Sequence, residues 1–322
     1  SVGSVVCFVG AVGGVFMEKM GMPMPVAVIL MLLLGIAIGA WQAVWIAYVH
    51  VPPFITTLSG MLVFRGWSNV VLGGQTLPIK NQSFIVLFGG GANCYVPDIL
   101  GGGEGMNRLA LVVGVVACVI FVVTTMRGYL NRKKKGYETG NIAAMYIKMI
   151  LICAVILFIT VKLAQYKGIP TSLVWVLIVA LIYGYITSKT TIGRYFYAVG
   201  GNEKATKLSG INTERVYFLA YTNMGLLAAV AGMLTIARLT SAQPTYGQNY
   251  EMDAIGSCFI GGASAYGGTG TVPGVIIGAT LMGIINQGMS IMGTDQNMQK
   301  IVKGLVLLAA VVFDVVSKKR SE

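Results

Sequence analysis

The stretch that decides the fold is 253–288, DAIGSCFIGGASAYGGTGTVPGVIIGATLMGIINQG. Its second half opens an apolar run, 272–292, of about the 20 residues that a bilayer crossing needs. Its first half, 253–266, is too short and glycine-rich for an ordinary span. Ten glycines fall between Gly256 and Gly288, with GxxxG spacing at Gly270/Gly274 and Gly274/Gly278. Irregular backbone survives at membrane depth only where protein buries it or water bathes it. Two readings stay open: a pore-side element, or a tight helix contact through small residues. The run GGTGTVPG (267–274) is not a nucleotide loop, because no Lys-Ser/Thr follows it and no soluble strand precedes it.

Outward from this stretch the chain keeps one character. Of its 322 residues 56% are hydrophobic and 11% charged, with a mean hydropathy of +0.77; a soluble domain carries about 25% charged residues. A water-soluble globular enzyme is excluded. The 43 glycines are spread through apolar runs rather than gathered in linkers, which suits helices in close contact within a bilayer. The fold class is therefore all-α, a polytopic transmembrane helical bundle of about ten membrane segments, some broken or re-entrant. Ordinary spans are expected at 1–16, 25–47, 53–72, 108–126, 142–163, 170–188, 215–239, 272–292 and 300–317, with 253–266 as a crossing or deep re-entrant element.

Sidedness follows from charge. Thirteen of the 23 Lys and Arg residues lie in 127–141, 189–215 and 317–322, beside only Glu138, Glu203, Glu214 and Glu322 as acids. Short basic loops mark the cytoplasmic side. All three share that side, with the C-terminus, only if 253–266 enters from outside and 272–292 returns. The net charge of +12 is thus an orientation signal and not a nucleic-acid footprint. The loops 17–24, 73–107, 164–169, 240–252 and 293–299 then lie outside. The long 73–107 loop, with Gly89-Gly90-Gly91 and Gly101-Gly102-Gly103, is expected to be mobile in part or to fold back. The chain opens at Ser1 directly in apolar helix-like sequence with no positive leader, so its natural start is expected further upstream.

Four groups of residues could carry function. The first is 189–215, whose GGNEKATKLSG (200–210) reads as one short helix outside the membrane. Asn202 can cap it, Glu203 complements its dipole, and Gly210 suits the left-handed stop. Ala205 and Leu208 share a side at i, i+3 spacing. It is either a plain connector or a helix that docks into another protein's groove. The second is HVPPFITTLSGMLVFRGWSNVVLGGQTL (50–77), where Pro52-Pro53 sets a helix start and Thr56, Thr57, Ser59, Arg65 and Asn69 place polar atoms in an apolar span. Arg65 either faces an interior path or snorkels to an interface. Third, Gln75, Thr76, Arg238, Ser241, Gln243, Tyr246, Gln248, Asn249, Tyr250, Glu251 and Asp253 cluster at outer ends, where they suit a polyhydroxyl ligand, a polar protein surface or an ordinary loop. Fourth, Ser257, Asn286 and Gln287 could line a path or join helices.

Missing chemistry narrows the choice. His50 is the single histidine, so an HExxH or multi-His metal site cannot form, and no GxSxG or Walker A sequence occurs. Cys7, Cys118, Cys153 and Cys258 lie in apolar runs and only Cys94 in a polar loop, so they read as small hydrophobes. Intramembrane acids are scarce, Asp314 being the clear one, near an inner end; a proton-coupled carrier usually needs such relays. No cofactor and no catalytic residue is expected, and energy has to come from elsewhere.

At these residues the sequence resembles the permease subunits of bacterial sugar ABC importers of the ribose, xylose and galactose type. The matching runs are VPPFITTL (51–58), Arg65-Gly66, Gly73-Gly74-Gln75, YAVGGNEKATKLSGI (197–211), ARLTSAQPTYGQNYEMDAIGSCFIGG (237–262), GGTGTVPGVIIGATLMGIINQG (267–288) and MQKIVKGLVLLAAVVFD (298–314). They cover most of the chain in order. The opening SVGS resembles the end of a longer family segment, which implies about two spans upstream within one permease domain. The region 127–165 resembles an insertion found in longer xylose and multiple-sugar permeases. The resemblance implies that Gly201, Asn202, Glu203, Lys204, Ala205, Thr206, Leu208, Ser209 and Gly210 form the coupling helix seated on an ATP-binding cassette subunit. It also implies a periplasmic sugar-binding protein, a second permease protomer, a monosaccharide such as xylose, and residence among inner-membrane lipids. Thr57, Ser59, Arg65, Asn69, Gln243, Asp253, Ser257, Asn286 and Gln287 are the expected path residues. A branched-chain amino acid permease, or a carrier or channel working without an ATPase, remains the alternative.

Overall fold

The computed structural model describes residues 1–90, 94–98, 106–135 and 142–319. Gly91, the Gly101-Gly102-Gly103 run, Glu138 and Glu322 lie outside the described residues. The chain forms two compact units, Ser1–Gly91 with Trp175–Glu322, and Ala92–Val174.

Helices of the first unit begin and end where the chain's chemistry requires. α1 (Val2–Gly14) runs into a π-helical turn, Val15–Lys19, and α2 (Met24–Ala47) follows with proline in its first turn. α3 (Pro53–Leu72) starts at the proline that cannot continue a helix and stops at Gly73, which is left-handed at φ 62°. A two-residue strand, β1 (Leu77–Pro78), precedes α4 (Gln82–Phe88), where Asn81 Oδ1 accepts from the Phe84 N–H at 3.1 Å. α4 corrects the reading of 73–107 as loop alone: Phe84 and Phe88 are buried, and Phe88 stacks on Trp175 at 5.2 Å.

The second unit is built on two helices, α5 (Arg108–Lys134) and α6 (Ile142–Tyr166), meeting where Gly114 lies against Thr160. Its loop ends are tied by the Val96 N–H to Ile169 oxygen bond at 2.9 Å. α7 (Thr171–Lys189) starts in this unit and continues in the first.

The first unit then continues through α8 (Thr191–Gly201), α9 (Glu203–Leu208), α10 (Thr213–Arg238), β2 (Ser241–Ala242), α11 (Tyr250–Ile260), α12 (Val272–Ile291) and α13 (Gln296–Lys319). β2 pairs antiparallel with β1, Leu77 opposite Ala242, a small exception to the all-helical expectation. Among the described residues, seven helices are long and apolar enough to cross a bilayer: α1 with its π turn, α2, α5, α6, α7, α10 and α12. The expected segments 53–72 and 300–317 form helices, as does 253–260 of the expected 253–266, but all three fall outside that set. Arg65 and Asn69 lower the hydropathy of α3, α11 has 11 residues, and Lys300, Lys303 and Asp314 charge α13. Broad apolar surface faces outward, as on α7, where Leu181 is 73% exposed; such area suits lipid and not water.

The core of the first unit lies among α1, α2, α3 and α10, around Val6, Val9, Met31, Met233 and Ile236. Its central crossing is made by glycines. A Cβ on Gly225 of α10 would strike the Gly35 carbonyl and the Gly39 backbone of α2. No rotamer change relieves a clash with backbone, so the helices must separate or the residue must stay glycine. Gly225→Leu is expected to cost about 3 kcal/mol or more, read as a fall in the melting temperature of detergent-purified protein. Gly283→Leu, where nothing lies within 4 Å of the added Cβ, should leave it unchanged.

Candidate functional site

Between α7 and α10 the chain carries two helices where the sequence reads as one. Asn202 is extended at φ −157°, ending α8 and capping α9 through its side chain, which accepts from the Ala205 N–H at 2.9 Å. α9 closes through two bonds, Ile211 N–H to Thr206 oxygen at 3.3 Å and Gly210 N–H to Lys207 oxygen at 3.0 Å. Gly210 is left-handed at φ 84° between them, the geometry of a Schellman stop. Glu203 in the first turn accepts from the Tyr217 hydroxyl of α10 at 3.0 Å, and Thr206 is buried. The opposite side is open, and Leu208 is 90% exposed. A capped, stopped helix thus stands on α10 with its apolar tip free.

α8 joins this helix to the turn between α11 and α12. A Cβ on Gly200 would come within 2.8 Å of the Gly268 nitrogen, and one on Gly267 would strike the Gly200 carbonyl. The Tyr197 hydroxyl donates to the Gly270 oxygen at 2.7 Å. From the other side Asp314 of α13 accepts from the Ala265 N–H at 3.2 Å and the Ser264 hydroxyl at 3.3 Å. The turn is held by backbone contact on one flank and by a carboxylate on the other. Beyond it, Gly278 and Gly274 of α12 lie against the Ser257 and Gly261 carbonyls of α11. The GxxxG pair Gly274/Gly278 is therefore a packing contact, and Gly270 bends the chain at φ 144°.

The expected path residues separate. Arg65 is half-buried, and its guanidinium donates to the Pro244 oxygen at 3.0 Å and the Tyr246 oxygen at 2.7 Å. It clamps the loop that carries Gln243, whose own carbonyl faces the Cys7 thiol. Thr57 bonds back to the Pro53 oxygen at 2.9 Å and Asn69 to the Arg65 oxygen at 3.1 Å, so both serve α3 itself. Ser59 and Gln287 are exposed.

Asp253, Ser257 and Asn286 do come together, around a residue that sequence reasoning missed. Lys303 of α13 donates to Asp253 Oδ2 at 2.9 Å, and Asn286 Nδ2 reaches the same oxygen at 3.4 Å. The Ser257 hydroxyl donates to the Asp253 carbonyl at 2.6 Å. The signal was available: a lysine within an apolar helix demands a partner.

A cavity of about 510 Å³ lies between α7, α10 and the start of α12, with Trp175, Val179, Val230, Leu234 and Val275 on its walls. Its tyrosine hydroxyls are committed, Tyr183 to Asn223 and Tyr197 to Gly270. A hydroxyl-rich ligand there would leave its polar groups without partners.

Comparison with known proteins places these features in context. Residues 1–311 match the family model described as branched-chain amino acid transport system / permease component. The chain is similar to the xylose transport system permease protein of Haemophilus influenzae, 36% identical over 99% of this chain and 82% of the relative. It is likewise similar to the xylose permease protein of Escherichia coli K12, at 35% over 100% of this chain and 78% of the relative. The ribose import permease protein of Escherichia coli K12 is 47% identical over 148 residues, 46% of each chain. No solved structure matches.

The Arg65 clamp yields a local test. Arg65→Met should cost about 1.5–3 kcal/mol for the lost charged hydrogen bonds. Amide hydrogen exchange should then rise at residues 245–247 while the α2–α10 crossing stays protected.

Proposed function

This chain belongs to the permease family of ABC importers, and we propose that, in a xylose- or ribose-type system, it is the membrane subunit through which the sugar crosses. The observation that carries this reading is the similarity to xylose permeases over 99–100% of the chain, against 46% of it for the ribose match. The machinery around it is that of such systems: an ATP-binding cassette subunit, a sugar-binding protein and a second copy of the permease, in the inner membrane of a bacterium.

α9 is the coupling helix in this reading. Its exposed Leu208 and its capped, stopped form suit a groove in the ATPase. Docking and release would move α8, and through the Gly200–Gly268 contact the α11–α12 turn, between inward- and outward-open states. The turn's position against α8 favours a chain that enters through α11 from outside and returns through α12. α3, α11 and α13 then join the seven apolar helices as membrane segments, with the C-terminus cytoplasmic and residues 1–322 acting as one permease domain.

The family description names branched-chain amino acids, which keeps an amino acid cargo as the second reading. Uptake of labelled xylose, ribose and leucine by the assembled transporter separates the two, and uptake by the permease alone would point to a carrier. For coupling, Leu208→Asp should lower sugar uptake and cargo-stimulated ATP hydrolysis at least about ten-fold, a loss of about 1.4 kcal/mol of docking energy or more. The amount of permease in the membrane should not change. Wild-type uptake in this variant would remove α9 from the coupling role.

A further inference from the structure

The contact between α11, α12 and α13 contains an imbalance. Lys303 and Asn286 both spend their donors on one oxygen of Asp253, Oδ2. Among the described residues the other oxygen, Asp253 Oδ1, is a buried atom without a hydrogen-bond partner, and so is Asn286 Oδ1. A packing contact gains nothing from two partnerless acceptors, since apolar groups of the same shape would hold the helices as well or better. The pair of Asp253 and Lys303 is neutral overall and asks no net charge of a ligand. An adjacent ammonium disfavours a bound cation. What the two oxygens lack is hydrogen-bond donors on a neutral, compact molecule.

We propose that Asp253 and Asn286 form a hydroxyl-binding station for the transported sugar, Asp253 Oδ1 and Asn286 Oδ1 accepting from its hydroxyl groups and Lys303 acting as the positioning residue for the carboxylate. This rests on the sugar-importer reading above. Both oxygens are sealed in this conformation, so the station opens only when α11 parts from α12 or α13. A motion of that kind is what the α8 contact at the far end of α11 would drive.

The test is uptake of D-xylose and its 2-, 3- and 4-deoxy analogues by the assembled transporter. Wild type is compared with the double variant Asp253→Leu/Lys303→Met, which removes the ion pair together, and separately with Asn286→Leu. Any preference of the binding protein is common to all three and cancels when a variant's kcat/KM ratio of analogue to xylose is divided by the wild-type ratio. At least one missing hydroxyl should cost wild type about ten-fold more than it costs one of the variants. Analogue ratios that are the same in wild type and both variants would overturn the station while leaving sugar transport in place. Recovery of neither variant from the membrane at the wild-type amount would mark the cluster as structural and also overturn it. Wild type that carries no xylose would remove the sugar reading and the station with it.

Discussion

Helix backbones in the first unit touch one another, and the rest of the structure depends on that. Lipid tails are as apolar as leucine, so membrane helices gain little from hiding apolar side chains and must rely on close contact. Glycine permits it by removing the Cβ. α10 meets α2 at Gly225 and Gly35, α12 meets α11 at Gly274 and Gly261, and the α11–α12 turn meets α8 at Gly267 and Gly200. Contacts of this kind are stiff, because neither partner has a side chain that can turn aside.

Stiffness gives the site its logic. α9 stands on α10 through Glu203 and Tyr217 and is continuous with α8 through Asn202. α8 abuts the turn, the turn is tied to α13 through Asp314, and α11 leads from the turn to Asp253 and Lys303. A push at Leu208 therefore reaches a half-buried ion pair through backbone contacts and two carboxylates. In the proposed transporter this chain of contacts is where an ATPase on one face could act on a cargo site deeper in the membrane.

Much of this was legible in the sequence, for identifiable reasons. Pro53, Gly73, Asn202 and Gly210 placed helix ends closely, since proline, a side-chain cap and left-handed glycine act locally. α4 was not legible: seven residues are too few to show a period, and only Asn81 hints at its start. α8 itself was not read as a helix, because Gly200 and Gly201 look like a boundary although α8 includes both and ends only at Asn202. Arg65 could be read as functional or interfacial but not as a clamp, because its partners are carbonyls 179 and 181 residues away and carbonyls leave no mark in sequence. Asp253, Ser257 and Asn286 were readable one by one. Their assembly needed Lys303, 50 residues beyond Asp253.

The central claim is that α9 and the α11–α12 turn move as one body. Pulsed electron resonance between spin labels at Lys204 and Tyr266, in the assembled transporter with and without ATP, tests it most directly, with a second pair at Tyr266 and Gln82 as reference. The account predicts an unchanged Lys204–Tyr266 distance and a shifted Tyr266–Gln82 distance when ATP binds. A Lys204–Tyr266 distance that changes while Tyr266–Gln82 stays fixed would contradict it.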